Sequence, residues 1–564
     1  MNFKVFFFVF FSFLAVQLNV NAQTVERARP AEWKNLVYGG RFMDRFLPMP
    51  SMGKLSSDTW GGDNVLPRYV DNGIENRKWS FWGGNIKEGK DGKFHFYVCG
   101  WLESSPKGHN QWGKSIVFHA TSNNSFGPFV VQDTIGMGHN PEIFQIQDGR
   151  YIIYVIGGYY IANDLNGPWT YSKFDFNLRD RVLIEGNSNF TYAQREDKSY
   201  LMICRGGGQW ISQTGLSTYN QLTPTRMSND GKIIPVRAYP DIDGRFEDPV
   251  VWRDNVQYNM VVNDWLGRIA YYMRSKDGIA WKAESGEAYM PGIAKHEDGA
   301  LEGWFKFERM KVFQDQYGRA TQANFAVIDI EKVFDKGSDI HSSKNIGIPL
   351  AVGKLLTILD KKRIDAKTKT IRVKIAAEPG FNPQTDIDIQ SLRFGNPEDV
   401  NYGKGGKMLS SEKSGNDLIV TFNTVGNGIP EDEFAAKMLG KTINGKLLYG
   451  YARLPEVNFI EPILSACLPV ITQKNDGFDL KVEVQNLGQV ASKTAQLKVT
   501  YLRGNKEIEV ATGKISSLKP YEKTTVDLIS AKIFEVGVER IFKVVINQKG
   551  ITPSVLHGKI TPLK

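Results

Sequence analysis

The sequence predicts an all-β protein: a five-bladed β-propeller followed by two β-sandwich domains with an immunoglobulin-like rhythm. Two strand-and-turn signatures alternate in phase between residues 79 and 329. Successive copies begin about 45 to 65 residues apart, which is the length of a four-stranded blade. Long helical periodicity is absent from this region, so that a run of blades accounts for it better than any helical fold.

The first signature is a hairpin that ends in Gly-Gly or Gly-Trp. Asp91-Gly92 and Asp148-Gly149 mark the turn in two copies, because both central positions of a type I′ turn need positive φ. The second signature is a polar turn followed by an aromatic residue, and we interpret it as the outer strand that closes a blade. The five copies begin at Trp82, Gly138, Glu185, Glu247 and Glu302. Together they predict a propeller over residues 23–340.

The repeat stops after about residue 336. Residues 346–460 contain alternating strands separated by Gly, Asn and Pro clusters, which predicts a β-sandwich with a short helix at 431–439. Residues 464–564 predict a second, immunoglobulin-like sandwich. The stretch 484–488, Val-Gln-Asn-Leu-Gly, resembles bacterial cell-adhesion-related modules, which usually space, dock or stabilise a neighbouring domain.

The first 22 residues predict a signal peptide. Lys4 precedes an apolar run over residues 5–16, and Val20-Asn21-Ala22 forms a cleavage site that leaves Gln23 first. The apolar run is shorter than the ~20 residues that a membrane-spanning helix needs. We therefore expect an exported protein, periplasmic or secreted, without a membrane span.

Composition limits the partners and the cofactors. The net charge of +9 is spread along the chain without a basic run, which argues against nucleic acid and is compatible with an acidic or sulfated polysaccharide. The 12% aromatic content suits carbohydrate-facing platforms as well as blade packing. The three cysteines lack metal-ligand spacing, and the sequence requires no cofactor.

In a propeller the innermost strand of each blade starts at the central axis, so the residues that open each repeat converge on one funnel. Several carboxylates and a histidine are thereby predicted to meet without being adjacent in sequence. The opening residues are Asn85 in the first repeat, His139, Asn140 and Glu142 in the second, Glu185 and Asn189 in the third, Glu247 and Asp248 in the fourth, and Glu302 with Glu308 in the fifth.

This set resembles the five-bladed propeller glycosidases of glycoside hydrolase family 43 and its relatives in families 32, 117 and 130, over about residues 75 to 335. The best match is Ile184-Glu185-Gly186, because family 43 carries its general acid in Glu-Gly-Pro at that place. The blade closures Gly127-Pro128-Phe129 and Gly167-Pro168-Trp169 are also typical of that family. The resemblance implies an exported glycosidase that cleaves a plant or algal polysaccharide, or its oligosaccharides, with inversion.

Two departures indicate a divergent member. The family's first-blade general base belongs to an Asp-Pro, whereas this chain has Trp82-Gly83-Gly84-Asn85 there. The second blade should offer an aspartate and has Asn140 instead. An acidic pair before proline occurs in the fourth repeat, as Glu247-Asp248-Pro249.

Glycoside hydrolysis needs one protonated and one ionised carboxyl in different environments. The resemblance makes Glu185 the candidate acid, and the acidic opening makes Asp248 the candidate base, with Glu302 able to exchange roles with either. The remaining residues of the predicted site would bind substrate: Trp82, Asn85, His139, Asn140, Glu247 and Trp304. Some relatives hold a Ca²⁺ in the funnel, although no loop here has EF-hand spacing.

Three other functions remain open at this stage. The glycines at the expected base favour a non-catalytic carbohydrate-binding propeller, and a polysaccharide lyase would need a Tyr or His base beside a group that neutralises a uronate. Residues 275–281 look like one Asp-box turn of a sialidase, but no arginine triad accompanies them. The sequence does not specify the sugar, the linkage, or action at ends or interiors.

Overall fold

The computed structural model describes residues 24–564 except 59, 61, 184–187, 366, 425–427, 475, 476, 505 and 533. The predicted signal peptide and the Ile184-Glu185-Gly186 motif therefore lie outside the described residues. The prediction of an all-β protein is confirmed, because strands form nearly all of the regular structure described. No helix in this part of the chain is long and apolar enough to span a membrane.

The described chain begins with a segment that packs against later strands. It contains two 3-10 helices, Ala31–Asn35 and Phe42–Arg45. A hairpin follows, formed by β1 (Leu55–Asp58) and β2 (Asp63–Tyr69). Isolated bridges join Phe46 to Leu350 and Ile74 to Asn345, so that this segment extends the sheet formed by the last strands of the repeat region.

Five successive sheets, mainly antiparallel, follow within the described residues. The first contains β3 (Trp79–Glu88), β4 (Phe94–Leu102), β5 (Ile116–Ser122) and β6 (Val130–Met137), with a 3-10 helix at Gly108–Lys114. The second contains β7 (Glu142–Gln145), β8 (Tyr151–Val155), β9 (Gly158–Ala162) and β10 (Thr170–Ser172). The third contains β11 (Phe176–Asn177), β12 (Thr191–Gln194), β13 (Tyr200–Ile203), β14 (Gln209–Ser212) and β15 (Tyr219–Gln221).

A two-stranded hairpin, β16 (Thr225–Met227) and β17 (Ile233–Pro235), separates the third sheet from the fourth. The fourth sheet contains β18 (Phe246–Arg253), β19 (Tyr258–Asp264), β20 (Ile269–Ser275) and β21 (Lys282–Ala283). The fifth contains β22 (Lys306–Gln314), β23 (Ala320–Ile328) and β24 (Ser343–Pro349).

The inner strands β3, β7, β12, β18 and β22 lie side by side around a common axis. Strand β3 contacts both β7 and β22, and β18 contacts both β12 and β22. Glu142, at the start of β7, accepts hydrogen bonds from Thr191 and Tyr192 of β12, which closes the circle. Residues far apart in sequence are therefore brought together where these strands begin.

The segment after the repeats forms a seven-stranded antiparallel sheet with the order β25-β26-β29-β28-β27-β30-β31. Its strands are β25 (Leu356–Ile358), β26 (Thr370–Ile375), β27 (Ile387–Gly395), β28 (Gly406–Ser414), β29 (Asp417–Asn423), β30 (Ala435–Thr442) and β31 (Leu447–Arg453). The two outermost strands of this order, β25 and β31, contact each other, so the sheet curls around a single apolar core.

The helix predicted at 431–439 is wrong. Residues 435–442 form the buried strand β30, which lies between β27 and β31. The Ala, Lys, Met and Leu residues of this stretch favour helix locally, but pairing and burial on both sides outweigh that propensity. The one α-helix among the described residues is α1 (Pro397–Asn401).

The last part of the chain consists of two four-stranded sheets that enclose one apolar core. In one sheet β34 (Gly477–Asn486) pairs with β32 (Leu464–Ala466), β33 (Val470–Lys474) and β37 (Lys523–Ser530). The other has the order β36 (Lys506–Ile515), β35 (Ala495–Arg503), β38 (Arg540–Asn547) and β39 (Ser554–Ile560).

A buried ionic cluster joins the fourth sheet to the seven-stranded sheet. Arg274 of β20 contacts Glu284 at 2.5 Å and Glu433 at 3.3 Å, and all three side chains are buried. Burial alone would raise the pKa of Glu284, but Lys437, Arg274 and Arg45 together lower it to about 2. The fourth sheet and the seven-stranded sheet are therefore joined by buried charges, each of which serves as the counter-ion of another.

We expect R274M to lower the free energy of unfolding by about 3–5 kcal/mol, because Glu284 and Glu433 would lose their buried counter-ion. R372M is the matched control, since Arg372 forms an exposed ion pair with Glu412 and such pairs contribute up to about 1 kcal/mol. Urea denaturation followed by fluorescence measures both losses. A loss for R274M no larger than that for R372M would contradict the role of the cluster.

Candidate active site

Five residues with a left-handed backbone conformation lie within or directly before the five inner strands, one for each strand. Three of them coincide with a shift in strand register, near Gly83, Asp248 and Arg309. These five residues, which we call the opening ring, are Gly83 (φ 62°), Asn140 (55°), Asn189 (49°), Asp248 (51°) and Arg309 (52°). Four are not glycine, and such strained residues persist only where the surrounding structure holds them.

Side-chain hydrogen bonds connect consecutive members of the opening ring. Asn140 Nδ2 donates to Asn189 Oδ1 at 2.9 Å, and Asn189 Nδ2 donates to Asp248 Oδ1 at 3.0 Å. Arg309 Nη1 donates to the same Asp248 oxygen at 2.7 Å, and its Nη2 reaches the carbonyl oxygen of Asn140 at 3.5 Å. All four side chains are buried, so the ring closes the axis with hydrogen-bonded polar groups, although Asn140 Oδ1 and Arg309 Nε have no partner among the described residues.

Gly83 completes the opening ring without a side chain. A Cβ at this position would lie 3.5 Å from Asn140 Oδ1 and 3.6 Å from Arg309 Nε. Asn140 and Arg309 thus occupy the space into which a longer first-sheet side chain would extend. The first sheet contributes no carboxylate to the ring, in agreement with the missing base of the sequence.

Glu247 precedes Asp248 in the sequence and is a second carboxyl at this end of the axis. Its Oε1 lies 3.1 Å from Asn189 Nδ2 and 3.2 Å from Arg205 Nε. Because the same Asn189 nitrogen is 3.0 Å from Asp248 Oδ1, the two carboxylate oxygens are at most about 6 Å apart. Burial, followed by the negative charge of Asp248, raises the pKa of Glu247 to about 7.

Glu308 occupies the equivalent place before Arg309 in the fifth sheet. It is buried and forms an ion pair with Lys332, while Lys306 lies 3.8 Å from its other oxygen. The ammonium of Lys332 also lies over the ring of Trp82, 4.7 Å from its centroid. Trp82 is buried and meets His109 edge to face. Its ring therefore contacts both the ammonium of Lys332 and the imidazole of His109.

His139, predicted to bind substrate, is half-buried beside the opening ring. Its Nδ1 lies 2.9 Å from Ser115 Oγ, and its ring centroid is 5.1 Å from that of Trp112. Burial and the positive charges of Arg309 and Lys332 hold the pKa of His139 well below its usual range. A neutral imidazole can orient a sugar hydroxyl, but it has no proton to supply as an acid at neutral pH.

The structure does not bring all of the predicted site residues together. Asn85 exchanges two hydrogen bonds with the backbone of Ile143 and so joins β3 to β7. Glu302 accepts bonds from Tyr69 N at 2.8 Å and Trp304 Nε1 at 2.7 Å, and His296 Nε2 lies 3.0 Å away. Although burial opposes it, His296 and Lys344 lower the pKa of Glu302.

Trp304 stacks on Trp60 at 5.6 Å between ring centroids and is buried. In their described contacts, Glu302 and Trp304 therefore pack against the N-terminal segment and not against the opening ring. The candidate acid Glu185 lies outside the described residues, and its role stays a prediction.

Arg309, Lys332 and Arg205 were missed by sequence reasoning, which looked for carboxylates. Aligning the inner strands on their openings would have found Arg309, because it holds the place in the fifth repeat that Asp248 holds in the fourth. No comparable signal marks Lys332, which follows the last residue of β23 in a connecting loop. The described residues include no group of three or more His, Cys, Asp or Glu that could hold a metal ion.

Comparison with known proteins finds no sequence match, and the similar solved structures have low identities and low TM-scores. No protein-family model and no curated protein matches the sequence. Similar solved structures include a protein of unknown function from Dyadobacter fermentans (12% identity, 55% of this chain and 94% of that chain, TM-score 0.32). Another is an α-L-arabinofuranosidase from Lactobacillus brevis, with 12% identity over 48% of this chain and 91% of that chain and a TM-score of 0.32. A third is a thermostable family-43 glycoside hydrolase, with 13% identity over 47% of this chain and 89% of that chain and a TM-score of 0.28. At these TM-scores the likeness supports no argument about fold or activity.

The raised pKa of Glu247 predicts a pH-dependent difference in stability between the wild type and E247Q. The folded state holds this proton up to about pH 7, whereas the unfolded chain releases it near pH 4.3. The wild type should therefore lose on the order of 2 to 3 kcal/mol relative to E247Q as the pH rises from 5 to 8. Urea denaturation at several pH values measures this, with E32Q as an exposed-carboxyl control. A constant difference would show that Glu247 is not perturbed.

Proposed function

We propose that this chain is an exported glycoside hydrolase whose five successive sheets are the blades of a propeller. Its substrate would be a plant or algal polysaccharide or its oligosaccharides. One observation carries the proposal: Glu247 and Asp248 are neighbouring carboxyls at the axis in different environments. The pKa of Glu247 is raised to about 7, while Asp248 forms a buried ion pair with Arg309.

This pairing matches what glycosidic cleavage requires. A carboxyl that stays protonated near neutral pH can give its proton to the leaving oxygen, while a second, ionised carboxylate activates water or attacks the anomeric carbon. In this proposal Glu247 is the proton donor and Asp248 the ionised partner. Asn189 donates a hydrogen bond to each of them and thereby sets their relative positions.

The raised pKa of Glu247 gives it a role different from the substrate-binding role predicted from sequence. Glu185 remains the acid implied by the family resemblance, and both assignments are testable. An inverting enzyme separates its two carboxyls by about 6.5 to 9.5 Å and a retaining one by about 5 to 5.5 Å. Because the oxygens of Glu247 and Asp248 are at most about 6 Å apart, the anomer of the first product tests whether these two act as the pair.

A second candidate function is carbohydrate binding without hydrolysis. Gly83 stands where a first-blade base is expected, and Arg309 engages an oxygen of Asp248. Both features favour a site that holds a sugar without cleaving it. The export of the protein is proposed from the signal peptide alone, and an N-terminus at Gln23 in the secreted or periplasmic protein would support it.

The test is to screen the purified protein against plant and algal glycans and to analyse the products of any glycan that is cleaved. On such a glycan, E247Q should lower kcat/KM by about 10²- to 10⁴-fold, because general acid catalysis contributes that much. The fall of kcat/KM on the alkaline side should lie near pH 7 in the wild type, because kcat/KM reports the pKa of the free enzyme. D248N should reduce activity similarly, whereas E32Q, which changes an exposed glutamate, should not.

Each alternative has a distinct outcome. Unchanged turnover in both E247Q and D248N would reject the assignment, and loss of activity in E185Q alone would favour the acid implied by the resemblance. Binding without cleavage of any glycan would favour the binding protein. Products that absorb ultraviolet light through a new double bond would instead indicate a lyase.

A further inference from the structure

A cavity lies at the end of the inner strands that is opposite to Glu247, on the far side of the opening ring. It has a volume of about 650 Å³ and is lined by residues from all five sheets, a size typical of small-molecule sites. We call it the far cavity. None of the five opening-ring residues lines it, and the buried side chains of that ring separate it from Glu247.

Positive charge predominates in the far cavity. Its described lining includes Lys87, Lys198, Arg253 and Lys311 but one carboxylate, Glu142. Lys311 forms an ion pair with Glu142, which balances these two charges. The other three cations therefore have no carboxylate within the described lining.

The positive charges of Lys87 and Arg253 are largely uncompensated. Arg253 shares the carboxylate of Glu196 with Arg453, at 3.4 and 2.7 Å respectively. Lys87 is half-buried, and no carboxylate of the described chain lies within ion-pair distance of it. Burial lowers the pKa of Lys87, which means that its ammonium has lost hydration without gaining a counter-ion.

The mouth of the far cavity presents hydrogen-bond acceptors that are held in place. Gln145, Gln194 and Gln314 stand at the ends of β7, β12 and β22. Their Nε2 atoms donate to Gly149 O, Tyr200 OH and Gly318 O at 2.8, 2.8 and 2.7 Å. Each amide is thereby oriented while its oxygen accepts no hydrogen bond from the described residues, which suits the hydroxyl groups of a ligand.

Aromatic surface completes the lining of the far cavity. Phe144 stacks on Tyr192 at 4.2 Å between ring centroids, and both line the cavity together with the half-buried Phe313. A cationic wall, oriented amide oxygens and aromatic faces select a ligand that has a negative charge, hydroxyl groups and an apolar face. Sugars that carry a carboxylate or a sulfate have all three.

We propose that the far cavity is a second glycan site that binds anionic oligosaccharides, with Lys87 as the principal counter-ion. The site does not depend on hydrolysis at Glu247, since the opening ring lies between the two. It provides the chain with a surface for a uronate or sulfated polysaccharide that is separate from the candidate active site.

Calorimetry with full-length E247Q tests the proposal, because this substitution is designed to suppress turnover. The probes are trigalacturonate, its methyl ester and a sulfated galactan tetrasaccharide. We expect at least one charged probe to bind about tenfold or more tighter than the neutral ester, with an affinity that falls as salt increases. Comparing trigalacturonate with the sulfated probe distinguishes a carboxylate ligand from a sulfate ligand.

Adding K87Q should weaken this binding about tenfold or more, because it removes the unpaired charge. K173Q is the matched control, since Lys173 is exposed directly after β10 and does not line the far cavity, and it should change the affinity less than about twofold. If K87Q does not fold, Q145E adds a repelling charge at the exposed mouth, with Q132E as its control. The proposal would be overturned if the neutral ester bound as tightly as the charged probes, or if no probe bound. It would also be overturned if a variant and its control changed the affinity equally.

Discussion

The buried ion pair between Asp248 and Arg309 is the interaction on which the arrangement at the axis depends. Five inner strands that begin at one axis leave a central space that side chains must fill, and this chain fills it with polar groups. A buried charge is tolerated when it is paired and hydrogen-bonded, and removal of one partner leaves the other uncompensated. Asn140 and Asn189 continue the hydrogen bonding from Asp248, so the closure is shared among four sheets.

Two properties of the site follow from that closure. The negative charge of Asp248 contributes to the raised pKa of Glu247, so the acidity of the candidate proton donor depends on a group fixed in the ring. The same ring separates the two ends of the axis. At one end the carboxylates of Glu247, Asp248 and Glu308 are each paired with a cation, whereas lysine and arginine side chains outnumber the one carboxylate in the described lining of the cavity at the other end. One set of hydrogen bonds therefore lies between the two environments.

The sequence predicted the local features well because hairpin turns and alternating strands depend on neighbouring residues. Asp91-Gly92 does lie in the turn between β3 and β4, but the predicted type I′ geometry is wrong, because Gly92 has positive φ and Asp91 does not. The opening residues Asn140, Asn189 and Asp248 do meet. Prediction from the sequence failed where packing against residues distant in the chain decides the local structure. β30 has the composition of a helix but is a buried strand. Glu302 opens a repeat but bonds to Tyr69 and Trp304, and Lys332 reaches Glu308 from a connecting loop that no repeat signal marks.

The three carboxylates around the ring show why Glu247 is the best candidate for the proton donor. Asp248 is paired with a guanidinium that is itself buried, and Glu308 is paired with Lys332 while Lys306 is also close. Glu247 is paired with Arg205, whose side chain is 38% exposed. Water screens that exposed charge, so it stabilises the ionised form of Glu247 less than a buried cation would. Burial and the adjacent Asp248 then outweigh Arg205 and Lys332, and Glu247 retains its proton at a pH where an acid catalyst is needed.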